Sequence, residues 1–397
     1  DFRAQMASIR TGERRFMELL ARYGKDAVVD SLERIYDQSE RLARSNVANI
    51  PDGVYEAESF MDDDGITTGK QISVKVRIIV EGDDLTVDLS EMSRQVAGAF
   101  NCGETAGRSA AEVAFKCLTS PMWLPINHGS FRPVNIVLPP GRVISAVKPA
   151  PTRSWMTVPM TVVDTIFKAL APAIPDRVIA GHYCDLCSAM TTGVDPRTGK
   201  FFFGGAGPVG GGPGAKHNSD GMSATICIND GDTHQTPSES AEAKSPLIVE
   251  QMVLRQDSGG AGRFRGGLGV RQIVRFRAAA SFNSKTERTH YPPWGLYNGQ
   301  AGLPNGVSIR RADGSMVQPP NGKIFAQLEP GDAYVTDTGG GGGFGDPYDR
   351  PAEKVAADVR AGYVSVEAAR RDYGVVVSGD PAALDETATA ELRGSSR

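Results

Sequence analysis

Glycine is gathered in this chain into a few short stretches, and those stretches limit the folds open to it. One is Gly204-Gly205-Ala206-Gly207-Pro208-Val209-Gly210-Gly211-Gly212-Pro213-Gly214-Ala215-Lys216; another runs from Asp257 to Gly269; a third is the unbroken run Gly339 to Gly343, followed by Phe344-Gly345-Asp346-Pro347. Glycine weakens helix and strand interiors, and it lets backbone approach backbone or take a positive φ. The chain holds 46 glycines in 397 residues, well above the usual share of about 7%. After Gly181 it is therefore expected to consist of short strands joined by glycine loops. The first stretch fails as a phosphate cradle. Ala215 separates Gly214 from Lys216, His217 stands where Ser or Thr is needed, and Pro208 and Pro213 remove amide donors. The third follows a strand but opens no helix, so it fails as a dinucleotide fingerprint. The first reads as a loop approaching a substrate or partner, or as plain structure, and the third as tight turns.

The other segments carry clearer periodicity. Phe16, Leu19, Leu20 and Tyr23 share one helix face, and Gly24 ends that helix. Asp26 is placed to cap a second helix, with Val28, Leu32, Ile35 and Leu42 on its inner face. Val74, Val76 and Ile78 alternate with Lys75 and Arg77, and Gly82-Asp83-Asp84 turns the chain into a second alternating run, a hairpin signal. Helices are expected at Ser109–Leu118 and Val158–Leu170. Strands are expected at Ala224–Ile228, Ile248–Leu254, Val270–Phe276, Val307–Arg311 and Ala333–Thr336, and helices again at Ala352–Ala361 and Val364–Arg371. Helix and strand blocks are segregated, which favours α+β. The expected class is a mixed, glycine-loop-rich β core with an N-terminal helical segment and short C-terminal helices. The divisions are a helical segment over 1–50, an α+β core over 51–347 and a helical tail over 348–397.

Charge excludes some partners. There are 43 basic and 47 acidic residues, well mixed, for a net charge of -4. No basic stripe for nucleic acid is present, and no apolar run is long enough to span a membrane. Five scattered cysteines fit a reducing cytoplasm rather than a disulfide framework. The start at Asp1-Phe2-Arg3 suggests a processed or partial chain.

Spacing alone reveals no catalytic machine. There is neither a Gly-x-Ser-x-Gly elbow nor a His-Glu-x-x-His motif. His182-Tyr183-Cys184-Asp185-Leu186-Cys187 holds one Cys-x-x-Cys, half of what a zinc site shows; buried thiols are the better reading, with Cys227, His217 and His234 as further ligands only if folding gathers them. Asn229-Asp230-Gly231-Asp232-Thr233-His234 is a turn whose acids and imidazole suit metal binding or proton transfer.

Asp257-Ser258-Gly259-Gly260-Ala261-Gly262-Arg263-Phe264-Arg265-Gly266-Gly267-Leu268-Gly269, preceded by Val249 to Arg255, resembles the signature of the hydantoinase B / 5-oxoprolinase family. Asp1 to Gln5, Gly12 to Arg15, Asn127 to Pro133, Tyr291 to Leu296 and Gly339 to Pro347 continue the match in order, so the resemblance covers nearly the whole chain. It implies the C-terminal portion of a B-type subunit in a hetero-oligomer. A hydantoinase A-type partner with an actin-like fold would bind ATP and phosphorylate the oxygen of a lactam, hydantoin or ketone. The B-type chain would complete ring opening or, in acetone/acetophenone-type carboxylases, carboxylation; the third reading is a non-catalytic assembly module. The family's divalent metal, such as Zn or Mn, is expected in an N-terminal region outside this sequence, so no metal ligand is carried over. Residues 229–240 are more acidic and serine-rich than the family pattern.

From residue type and loop position, His217, Asp220, Asp232 and His234 are the expected catalytic groups, with Arg132 and Lys216 as anion contacts. Gly259, Gly260, Gly266 and Gly267 are expected to be needed for positive φ, and Arg263 and Arg265 to pair with acids across an interface or to line a solvated edge.

Overall fold

The computed structural model describes residues 1–119, 125–154, 156–226, 228, 233–319, 321–379 and 381–395. Two long helices open it, α1 (Phe2–Tyr23) and α2 (Lys25–Val47), divided at Gly24 with φ 82°. Gly24, not Asp26, is the N-cap of α2; Asp26 sits in the first turn, where its charge suits the helix dipole. The apolar faces of these helices are largely uncovered. No residue of α1 is buried, Leu32 and Ile35 are exposed, and Val28 and Leu42 are only half-buried.

Next come β1 (Gly53–Met61), β2 (Ile72–Glu81), β3 (Asp84–Asp88), α3 (Glu104–Thr119), β4 (Val134–Val137) and α4 (Thr157–Leu170). The four strands form one sheet in sequence order, antiparallel except for the parallel β3–β4 pair. Val74, Val76, Ile78 and Val80 point inward from β2, and α3 and α4 pack on that face with the end of α2. In α4 every residue but Lys168 is buried. The helix is enclosed because a second structural layer covers its other side.

That layer is a β sandwich. It is built from β5 (Ala189–Asp195), β6 (Lys200–Gly204), the short α5 (Ser238–Lys244), β7 (Leu247–Leu254), β8 (Val270–Phe276), β9 (Ala280–Lys285), β10 (Gly306–Arg310), β11 (Met316–Val317), β12 (Lys323–Leu328) and β13 (Ala333–Asp337). One sheet runs β11-β10-β13-β8-β7 and the other β12-β9-β5-β6. Phe202 and Phe282 from one sheet meet Phe276 and Tyr334 from the other, with Phe282 and Tyr334 stacked at 5.2 Å between ring centroids. Finally α6 (Ala352–Arg360), α7 (Val366–Tyr373), the two-residue strands β14 (Val377–Ser378) and β15 (Ala383–Leu384), and α8 (Glu386–Ser395) close the chain. They cluster around Val355, Tyr373 and Val375 and dock on Ala261. The architecture is α+β as expected, but the described residues of Ala224–Ile228 are in no strand: Thr225 makes a single bridge to Gly211, and Cys227 lies outside the described residues.

The glycine stretches interleave as bare backbone. Gly212 N–H donates to Gly339 O, Gly267 N–H to Pro213 O, Gly341 N–H to Gly267 O and Gly260 N–H to Gly341 O, at 2.8–2.9 Å. The expectation of positive φ at Gly259, Gly260, Gly266 and Gly267 is corrected here: none of the four has it. They are glycine because a Cβ would stand 2.2, 2.1, 1.9 and 1.7 Å from a neighbouring carbonyl oxygen. The requirement is space between strands of chain, not a left-handed backbone.

Candidate functional site

Where the N-terminal sheet layer meets the sandwich, the contact is polar and buried. The chain leaves β1 through Asp62-Asp63-Asp64, all three buried. Asp63 accepts the amides of Gly65 and Gly69 and the side chain of Asn321; Asp64 accepts Ile66, Thr67 and Gly98 amides. Asp62 reaches across to the sandwich, accepting from Thr289 N–H and Oγ1–H and from His290 N–H. Glu287 returns the contact, accepting Asp62 N–H at 2.8 Å and an ion pair from Lys323. Burial pushes the Glu287 carboxyl up to about 7, against the pull of Lys323.

A second node centres on Asp164 of α4. Arg288 donates to its Oδ2 at 2.5 Å, Trp294 Nε1 to the same oxygen at 3.0 Å, and His182 N–H to Oδ1 at 3.2 Å. Nδ1 of His182 accepts Cys184 N–H, so its proton belongs on Nε2, 3.5 Å from the Cys184 thiol. Burial lowers the His182 pKa to about 4, which keeps the ring neutral. Cys184 and Cys187 both take left-handed backbone, φ 49° and 46°, an uncommon state for non-glycine residues. Ligand atoms of Asp164, His182 and Cys184 lie within 4.8 Å of one another. They do not make an open ligand set. The Arg288 guanidinium already holds the carboxylate, and with Nδ1 taken by an amide His182 keeps only Nε2 as a ligand atom. Arg288 supplies the positive charge a metal would bring.

Beside this node a cleft of about 210 Å³ opens between the start of α4 and β9. Asp185 lies at its edge, accepting Cys187 N–H on one oxygen and Glu287 N–H on the other. Burial nevertheless pushes the Asp185 carboxyl up to about 6. Arg153, Thr157, Asn283 and Lys285 line the same cleft. A wider cleft of about 390 Å³, lined by Asp64, Lys323 and Phe325, shares Asn283 and Lys285 with it.

The expected site residues lie elsewhere. Lys216 and His217 are exposed on a turn closed between Lys216 and Ser219. Asp220 accepts Arg265 N–H at 2.7 Å and both Arg350 nitrogens at 2.7 and 2.8 Å, tying the tail to the glycine core. Burial opposes its charge, but Arg350 holds the carboxyl below the usual range. Arg132 bonds Asp37 and Glu40 of α2 at 3.1 and 3.0 Å and lies over the Tyr36 ring. His234 is exposed, and Asp230 and Asp232 lie outside the described residues. Arg265 is buried against Asp358 and Tyr363 of this same chain rather than set to pair across an interface, while Arg263 stays exposed over Phe264. Within the glycine stretch over 204–216, the amides of Ala206, Val209, Gly211, Gly212 and Ala215 donate to Tyr334 Oη and to the carbonyls of Leu186, Thr225, Gly339 and Gly342.

Sequence reading missed Asp62, Asp164, Asp185, Glu287 and Arg288. A signal existed for two clusters, since Asp62-Asp63-Asp64 and Lys285-Thr286-Glu287-Arg288 put charges where a strand ends. Asp185 stood inside a motif read only for its thiols.

Residues 1–347 match the Hydantoinase B/oxoprolinase family. The caprolactamase subunit beta of Pseudomonas jessenii is 34% identical over 414 aligned positions, covering 98% of this chain and 68% of that protein. The crystal structure of the ATP-dependent caprolactamase from the same organism superposes with a TM-score of 0.90 at 29% identity, over 99% of this chain and 69% of that one. An acetone carboxylase structure, nucleotide-free, shares the fold at a TM-score of 0.83 and 20% identity, over 96% and 57%. This chain belongs to the hydantoinase B/oxoprolinase family.

Proposed function

We propose that the chain is the B-type subunit of an ATP-dependent cyclic amidohydrolase, completing ring opening of a substrate whose carbonyl oxygen a hydantoinase A-type partner has phosphorylated. An amide oxygen is a poor leaving group, and phosphorylation makes the ring carbon electrophilic. Water adds to that carbon, the C–N bond breaks as a proton reaches the ring nitrogen, and hydrolysis of the resulting acyl phosphate gives carboxylate and phosphate. The cleft beside α4 is the proposed place. Asp185 takes the proton from water and returns it to nitrogen, a task suited to a carboxyl raised to about 6. ATP belongs to the partner on this reading, since the glycine loop lacks the Gly-Lys-Ser/Thr order of a phosphate loop. The family's divalent metal is assigned no ligand in this chain, because the Asp164 node is already compensated by Arg288.

The observation that carries the amide reading is the identity to the caprolactamase, 29% in the superposed structures against 20% for the carboxylase. The test is ATP hydrolysis by the natively purified complex with hydantoin, 5-oxoproline, caprolactam, acetone and acetophenone, each with and without bicarbonate. Stimulation by a cyclic amide alone is expected. Stimulation only by a ketone with bicarbonate would replace this reading with a carboxylase, and activity that survives loss of the Asp185 carboxyl would move the chemistry out of the cleft.

A further inference from the structure

Two lysines stand directly opposite each other across β9 and β12, Lys285 and Lys323. Opposed residues of an antiparallel pair share a face, and like charges there destabilise it. Lys323 is answered: it pairs with Glu287 and lies 3.8 Å from Asp62 Oδ2. Lys285 is not. Among the described residues no carboxylate pairs with it or with Arg153, and the charge closest in effect to Lys285 is Arg153 itself. Partial burial, then the neighbouring guanidinium, lowers the Lys285 pKa. Arg153 is held at the cleft wall by a contact from Nη2 to Met190 Sδ at 3.4 Å.

Two cations at one cleft, Arg153 exposed and Lys285 half-buried, have no ion-pair partner among the described residues, and an anion would supply one. The surroundings agree with that sign. Thr157, at the same cleft, begins α4, a helix with no side-chain cap, so the positive end of its dipole is directed there. Asn283, on the same face of β9 as Lys285, adds an amide donor. Asp185, the proton carrier proposed above, is the one carboxyl among the cleft's described lining residues; it accepts the Cys187 and Glu287 amides and forms no ion pair with Arg153 or Lys285.

We propose that Arg153 and Lys285 form an oxyanion-binding subsite in the cleft at the start of α4, and that the anion is a phosphoryl group. A dianion matches two cations, and a guanidinium with an ammonium serves a tetrahedral oxyanion from two sides. That this phosphoryl group is carried by an activated substrate rests on the proposed function; the binding of the anion does not.

The test uses the natively purified complex and inorganic phosphate. Phosphate is titrated at pH 7.5 and low salt by calorimetry into wild type, Arg153→Gln, Lys285→Gln, the double variant and Lys285→Arg, with acetate as a parallel probe. Any phosphate bound by the partner is common to all, so the difference isolates this cleft. Each single Gln variant should weaken the cleft's phosphate binding roughly ten-fold, the double variant should abolish it, and Lys285→Arg should retain it. Thermal midpoints without phosphate should stay level or rise, because each Gln removes a repulsion. Phosphate binding indistinguishable between wild type and the double variant overturns the subsite. Acetate bound as tightly as phosphate, and lost equally in the double variant, overturns the phosphoryl assignment and makes the anion a carboxylate. Phosphate binding as proposed, in a complex with no cyclic amide turnover, keeps the subsite and removes the amidohydrolase reading.

Discussion

Arg288 and Asp164 form an ion pair across 124 residues of sequence, with side chains 3% and 0% exposed, and it locks the sandwich to the helix that backs the N-terminal sheet. A buried pair contributes little over an apolar replacement, but losing one partner strands a charge. Asp164 also accepts from His182 and Trp294, so Arg288→Met should destabilise the fold by about 3–5 kcal/mol. The double variant Asp164→Asn/Arg288→Met should lose less than the two single changes summed. Urea unfolding of the three variants checks this, and additive losses would show the pair to be uncoupled.

Gly267→Ala places a Cβ 1.7 Å from Met222 O, in an interior where backbone meets backbone and no side chain can yield. The expected loss is about 3 kcal/mol. Gly12→Ala, in the middle of α1 with nothing within 4 Å, should instead stabilise by about 0.5–1 kcal/mol. Thermal unfolding of the two variants should move in opposite directions.

How much of this was legible beforehand follows from the range of each interaction. The helices over 1–50, the β2–β3 hairpin, α4, β7, β8 and β13 were readable because their signals are local: period, turn residues and caps. Strand β9 was not, because Ala280 to Lys285 carries a single large apolar residue, Phe282, among small and polar ones, and gains its place from pairing with β5 and β12. The family was readable from the 257–269 glycines, although their physical reason was not: a close approach between segments near 213, 260, 267 and 341 leaves no local trace. The site was hardest. Asp62, Asp164, Asp185 and Glu287 become one buried seam only after the two layers meet, whereas His217 and His234, chosen by residue type, end on exposed turns.

The ion pairs of Asp220 are long-range and structural in form. Asp220→Ala leaves Arg350, 2% exposed, with Asp358 as its remaining carboxylate. The expected result is earlier proteolytic cleavage within the tail over 348–395, with kcat changed less than two-fold once the intact fraction is counted. A large fall in kcat with an undisturbed tail would return Asp220 to the catalytic role expected from sequence.

The uncovered apolar face of α1 makes a prediction of the opposite kind. Phe16 and Leu19 are both 47% exposed, so little of either is removed from water in this chain. Phe16→Ser and Leu19→Ser should each change stability by less than about 0.5 kcal/mol. A loss of about 2 kcal/mol or more in chemical denaturation of the chain would mean that this face of α1 is covered in solution.

Asp185 links pH to both stability and turnover. Its folded carboxyl titrates at about 6, above the ordinary 3.8, because burial disfavours the charge. Between those values the folded state binds more protons than the unfolded one, so this group's contribution to stability falls as pH rises from about 4 to about 6. Asp185→Asn should flatten that part of the stability profile, read as urea midpoints at pH 4.5 and 7. In turnover the proton-accepting form is the carboxylate, so kcat of wild type should rise through pH 6 and level off above it. Asp185→Asn should lower kcat by about 100-fold or more and remove that rising limb. A variant that keeps the limb while losing rate would assign Asp185 to positioning and the titration to another group, with Glu287, raised to about 7, next to be tested.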